Sequence, residues 1–146
     1  AISTAQLLPN AEIVVVTTPQ PAAADVAVRA GTLAEQTHQK VAGVIENMSS
    51  FPCPHCGEPI DLFGIGGGSI VAQTISSVLG TDVPLLGQIP FDVALREGGD
   101  SGSPLVLSQP EAPASVALLQ IAETLGRRPR GLAGMSLGIS PTRKNA

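Results

Sequence analysis

The sequence predicts an α/β domain, the second half of a larger, doubly wound and mainly parallel sheet. Three observations point there. Short apolar runs recur at Glu12–Thr17, Lys40–Ile45 and Pro84–Pro90. The first is continuous and rich in β-branched residues, which suits strands buried on both faces, as parallel strands are. Stretches of helical composition separate them, and strand–helix alternation is the pattern of a parallel sheet with helices on its faces. Finally, three strands make a narrow sheet with edges that a folded domain has to cover.

The elements follow in order. Ala1–Leu8 reads as the end of a helix, broken by Pro9-Asn10. After the first strand, Thr18-Pro19-Gln20-Pro21 is a loop, and Ala22–Gln36 is a helix. The second strand leads into Glu46–Asp61, a stretch with three prolines and Gly57. Such a stretch fits neither a helix interior nor a central strand, so a protruding loop or short ribbon is expected, an insert over about 48–62. Phe63–Gly68 reads as a flexible turn and hinge, with Ser69 as N-cap of a helix over Ile70–Leu79 that Gly80 ends. The third strand is followed by a helical turn over Phe91–Glu97, a loop over Gly98–Pro104 and a helix over Ala114–Leu125. Residues 1–126 therefore form the domain part, and 127–146, with Gly, Pro and basic residues lacking periodicity, are expected to be a disordered tail.

Composition narrows the function. The 146 residues carry a net charge of −4 with a sequence pI near 5.0, which argues against a nucleic-acid surface. With three Phe and neither Trp nor Tyr, there is no stacking platform for bases and the core has to be aliphatic. No apolar run approaches the ~20 residues that cross a bilayer, so no membrane partner is expected. The N-terminus lacks the basic flank of a signal peptide. The chain has two cysteines. A single close pair without an export signal reads as a metal or redox site in a reducing cytoplasm.

That pair is Cys53-Pro54-His55-Cys56. Its spacing lets two thiolates reach one ion from a tight turn, and thiolates favour Zn, Cu(I) or iron of an iron–sulfur cluster. Gly57 permits a positive φ just after it, and Pro52 keeps the preceding backbone extended. Two ligands are half of a four-thiolate set, and His55, within the turn, is poorly placed to add a third. His38 lies far off in sequence. A second copy related by a two-fold axis completes the set. The alternatives are a redox-active disulfide and an idle structural pair; Pro59 argues against the long helix that a thioredoxin-like motif opens.

Gly43-Val44-Ile45-Glu46-Asn47-Met48-Ser49, followed by Cys53-Pro54-His55-Cys56-Gly57, resembles the Mrp/ApbC family of iron–sulfur cluster carriers, P-loop ATPases of the MinD/ParA-like class. The similarity runs on through Phe63-Gly64, Gly66-Gly67-Gly68, Leu86–Pro90 and Arg96–Gly102, reaches back to Val16–Gln20, and covers residues 1 to about 125. The resemblance implies a C-terminal part of a P-loop NTPase domain. It implies that Cys53 and Cys56 bridge a 4Fe-4S cluster between the protomers of a homodimer, for transfer to recipient apo-proteins. It also implies that Asn47 meets the adenine base of ATP, and that the segment from Pro90 to Asp92 closes over base or ribose. An Asn side chain offers the donor and acceptor an adenine edge needs, and both segments follow strand C-termini, where open α/β sheets bind ligands. The plainer alternatives are a strand-end cap at Asn47 and a helix N-cap at Asp92.

The sequence also departs from that family. Gly66-Gly67-Gly68 is followed by no Gly-Lys-Ser/Thr, so it is not a phosphate loop. The family's phosphate loop and its Mg²⁺-holding acidic switch lie N-terminal to everything present. Without them phosphoryl transfer lacks its main electrostatic stabilisation, and the chain by itself is expected to be inactive toward ATP. Three functions compete: a cluster carrier, a dimeric zinc-binding clasp, and a positioning ATPase of the MinD type.

Overall fold

The computed structural model describes residues 7–8 and 11–128. The elements are β1 (Ile13–Thr17), α1 (Pro21–Thr37), β2 (Val41–Asn47), β3 (Phe51–Pro52), β4 (Pro59–Ile60), α2 (Gly67–Leu79), β5 (Leu85–Ile89), α3 (Val93–Ser101), α4 (Leu105–Ser108) and α5 (Pro113–Gly126). The three apolar runs form one parallel sheet in the order β1-β2-β5, with β1 paired to β2 from Ile13–Val41 to Thr17–Glu46 and β2 to β5 from Val44–Leu85 to Asn47–Ile89. β3 and β4 form a separate antiparallel ribbon.

Alternation along the strands builds two cores. Val15, Val44 and Leu85 face α1 and α2, where Ala24, Ala27, Ala34, Val71, Ala72 and Ile75 close the layer. Ile45, Leu86 and Ile89 face the opposite way, against Leu105, Ala114 and Ile121 of α4 and α5. The sheet is thus covered on both faces at β5, as the doubly wound reading requires. At β1 the second face stays bare: Val16 is 59% exposed and Val14 36%.

Several boundaries differ from the sequence reading. α2 opens at Gly67 with Gly66 (φ 79°) as its N-cap, not at Ser69. Gly67 and Gly68 are not a hinge. A Cβ on Gly67 would sit 2.6 Å from the carbonyl oxygens of Thr18 and Pro19, and one on Gly68 2.7 Å from Glu46 Cβ. These glycines serve close packing, which outweighs their poor helix propensity. α3 runs on through Gly98 and Gly99 to Ser101, where a loop was expected, and α4 was not expected at all. A Cβ on Gly98 would lie 2.5 Å from Ser103 O, so the chain can fold back tightly under α3 only with glycine there. His38 (φ 53°) is the left-handed C-cap of α1.

Of the helix expected over Ala1–Leu8, only Leu7 and Leu8 fall within the described residues, and Leu7 is helical. At the other end Arg127 pairs with Glu123 and Arg128 with Glu12, at the start of β1. The rest of the expected tail lies outside the described residues.

Candidate functional site

β2 ends at Asn47, and Met48 adopts a left-handed φ of 59°, uncommon for a residue with a Cβ. This turn sends the chain across the end of β5: Ser49 N–H donates to Ile89 O at 3.0 Å and Phe91 N–H to Ser50 O at 2.7 Å. The ribbon then rises, with Phe51 opposite Ile60 and Pro52 opposite Pro59. Prolines have no N–H for a ladder, so the ribbon stops at two residues a side.

The six-residue turn beyond carries both cysteines. Cys53 N–H donates to Glu58 O and Gly57 N–H to Cys53 O, each at 2.8 Å, and Gly57 takes a φ of 77°. Both thiols are free; Cys53 is half-buried and Cys56 exposed. The backbone N–H of Cys56, then that of His55, then the Cys56 thiol hold the Cys53 thiol below its ordinary value, against a small opposing effect of burial. A turn whose amides point at sulfur stabilises thiolate, the form that ligates soft metals. Among the described residues no three His, Cys, Asp or Glu side chains converge on one point, so a single chain offers two ligands.

The root of this arm is built from residues that the sequence reading did not single out. Phe91 stands between Phe51 and Phe63, with ring centroids 5.7 Å and 6.5 Å away. All three aromatic rings of the Phe, Tyr and Trp type in the chain thus meet at one place. The sequence signal was their position at either foot of the Pro-rich stretch and just after the third strand. Beneath them Glu46 is 1% exposed, yet its carboxylate accepts from Gly68 N–H and from Gln88 Nε2, both at 2.6 Å. A carboxyl group buried this deeply needs such partners. The bond to Gly68 clips the exit of the arm, at the N-terminus of α2, to the end of β2. The readable hint was a Glu closing an apolar strand.

The expected nucleotide residues do gather at one end of the sheet. Asn47 pairs with Ile89, and Pro90 and Asp92 follow directly. Asn47 Oδ1 accepts from Met48 N–H at 2.9 Å, and its side chain lines a cavity of about 530 Å³ along β1 with Val14, Val16, Thr18 and Val26. Neither Pro90 nor Asp92 lines that cavity. Asp92 caps α3: its Oδ1 accepts from Ala94 N–H at 2.7 Å and Leu95 N–H at 3.2 Å. The plainer alternative for Asp92 is therefore what the geometry displays. The chain contains no Gly-Lys-Ser/Thr, so phosphate binding cannot be derived from its residues.

Fold and site together define an α/β protein in which a dithiol arm leaves the C-terminal end of a parallel sheet. A ParA family profile described as the NUBPL iron-transfer P-loop NTPase matches residues 1–126. The iron-sulfur cluster carrier protein of Mycobacterium tuberculosis is 58% identical over 144 residues, 99% of this chain and 38% of its own length. The mouse iron-sulfur cluster transfer protein NUBPL is 35% identical over 127 residues, 87% of this chain and 38% of its own. Among solved structures, a nucleotide-binding protein of Archaeoglobus fulgidus in complex with ADP, with cobalt, superposes with a TM-score of 0.57 at 34% identity, over 77% of this chain and 42% of that one. The septum site-determining protein MinD of Pyrococcus horikoshii, complexed with Mg-ADP, gives 0.55 at 26% identity, over 88% and 44%. The chain belongs to the NUBPL iron-transfer P-loop NTPase family. It spans about two-fifths of the length of the curated relatives it matches.

Proposed function

We propose that the chain is the cluster-holding part of an iron–sulfur carrier. Cys53 and Cys56 of two copies hold one 4Fe-4S cluster as cargo between them and release it to recipient apo-proteins in the cytoplasm. The observation that carries this is the exposed turn with two free thiols, one biased toward thiolate by backbone amides, and no third ligand beside them among the described residues. A four-thiolate cluster needs twice what one chain gives, and an isologous pair supplies it. Exposure suits a cargo site, because a buried cluster could not be reached by an acceptor thiol. Cluster-carrier and cluster-transfer names among the relatives support the same reading.

Asn47, Pro90 and Asp92 form the base side of a nucleotide site in this proposal. Asn47 meets the adenine edge through its amide, Pro90 shapes the segment beside it, and Asp92 holds that segment by capping α3. ATP and Mg²⁺ would be held at the phosphates by groups other than these. The same thiolate set also fits zinc, which makes a dimeric zinc clasp the second reading. The likeness to MinD is one of fold, and fold does not carry function.

The test is anaerobic reconstitution with iron and sulfide, followed by metal analysis and mass on the same sample. About four irons and four sulfides per dimer are expected. One zinc per dimer with no stable iron would replace the carrier by the clasp, and a metal-free monomer would remove both.

A further inference from the structure

The hairpin that presents the thiols is too small to hold itself. It has two residue pairs, and Pro52 and Pro59 bring no N–H to them. Isolated two-stranded ribbons are marginal even when longer. Its orientation therefore has to come from outside, and the contacts at its foot identify the source. Phe91 belongs to the connection after β5, not to the hairpin. Its N–H donates to Ser50 O at 2.7 Å, one residue before the rising leg. Its ring meets Phe51 edge-on (5.7 Å, 70°), on the rising leg. It also meets Phe63 at 6.5 Å and 52°, just past the descending leg. It is the shared partner of both.

The other side of Phe91 is equally constrained. Pro90 fixes the backbone before it, and Asp92 after it is anchored by two hydrogen bonds into the first turn of α3. A shift of α3 or of the Pro90–Asp92 segment must move the ring. The ring in turn bears on both legs of the hairpin.

We propose that Phe91 is a positioning residue for the thiol pair: it fixes the lean of the hairpin through Phe51 and Phe63, and it transmits to Cys53 and Cys56 any movement of the Pro90–Asp92 segment. Its bearing on cluster handling rests on the reading of the two cysteines as cluster ligands; the mechanical claim does not. Phe91 acts through its neighbours Phe51 and Phe63.

The test is amide hydrogen exchange by NMR on the metal-free full chain. Wild type is compared with Phe91→Ala, Phe91→Leu, Phe91→Tyr, Asp92→Ala and Asp92→Asn. The readout is the exchange of Cys53 N–H and Gly57 N–H, both bonded within the turn, against that of the β2 amides. Phe91→Ala should speed exchange at Cys53 and Gly57 on the order of tenfold while β2 amides keep their rates, because only the local opening changes. Phe91→Tyr should restore the wild-type rates, and Phe91→Leu, which keeps bulk without the ring, should fall between. Asp92→Ala should speed the same two amides several-fold although Asp92 bonds to α3 and not to the hairpin; Asp92→Asn, which can still cap, should not.

Unchanged rates at Cys53 and Gly57 in Phe91→Ala and Phe91→Leu would overturn the positioning role. So would a uniform rise across the sheet, which would make Phe91 ordinary packing. A silent Asp92→Ala would overturn the transmission. Iron content after reconstitution is read separately. Wild type that holds no iron while the exchange pattern appears removes the carrier reading and leaves the positioning role standing. Iron held normally without the exchange pattern does the reverse.

Discussion

At the scale of single residues the proposal rests on Cys53 and Cys56, and the foot of their arm on Glu46. Replacing either cysteine by Ser should abolish stoichiometric iron and weaken dimerisation together, read by metal analysis and sedimentation; a Cys53→Ser protein with full iron would disprove bridging by the pair. The depressed titration of Cys53 has a direction that can be checked. Between the folded and the ordinary thiol value, the folded chain carries thiolate where the unfolded chain carries thiol. Alkylation of Cys53 in the metal-free chain should then be faster folded than in urea over that pH window, and the advantage should vanish above the ordinary value. The matching stability contribution is present above the unfolded value and is lost as pH falls through the folded one. Glu46 is different in kind, a buried acceptor. Glu46→Ala strands the buried Gly68 N–H and should cost about 2 kcal/mol, seen as a lower urea midpoint, whereas Glu46→Gln keeps an acceptor and should cost less.

At the scale of elements, backbone approach decides what composition could not announce. Gly67→Ala should destabilise by about 1–3 kcal/mol, since its Cβ would press on the Thr18 and Pro19 carbonyls. Thermal unfolding of that variant against Gly80→Ala, where a Cβ meets nothing but φ is 63°, separates packing from conformational strain. The same glycines explain what was legible. β1 and β2 were readable because β-branched apolar runs have few other uses, and β5 because prolines bound a short apolar run on both sides. The ribbon was readable because proline excludes the alternatives. The start of α2 and the length of α3 were not, because propensity counts Gly67, Gly68, Gly98 and Gly99 against a helix, and only the neighbouring backbone reveals why they are there. At the site, the Cys pair was visible as a local pattern, whereas Asn47 entered only through the resemblance. Glu46 and Phe91 were not, because their roles depend on partners 22 and 42 residues away for Glu46 and on a crossing between strands for Phe91.

At the scale of the whole molecule, the two outer strands of the described sheet differ in cover. β5 is packed on both faces, while β1 leaves one apolar face exposed at Val14 and Val16. No helix among the described residues is long and apolar enough to cross a membrane. Asn47, Pro90 and Asp92 gather at the strand ends, and the sequence holds no Gly-Lys-Ser/Thr for the phosphates of a nucleotide. A phosphate-release assay on the purified chain should therefore show no turnover of ATP with Mg²⁺; measurable turnover would mean that the expectation of inactivity is wrong.

The meeting of all three phenyl rings at the foot of the hairpin has a practical consequence. A protein without Trp or Tyr is almost transparent near 280 nm, so any absorbance that appears there or to the red on loading belongs to the cargo. In a proton spectrum, apart from the imidazoles of His38 and His55, every aromatic resonance arises from that one junction. The molecule thus carries its own reporter: phenyl resonances that all come from the foot of the hairpin, readable without a label.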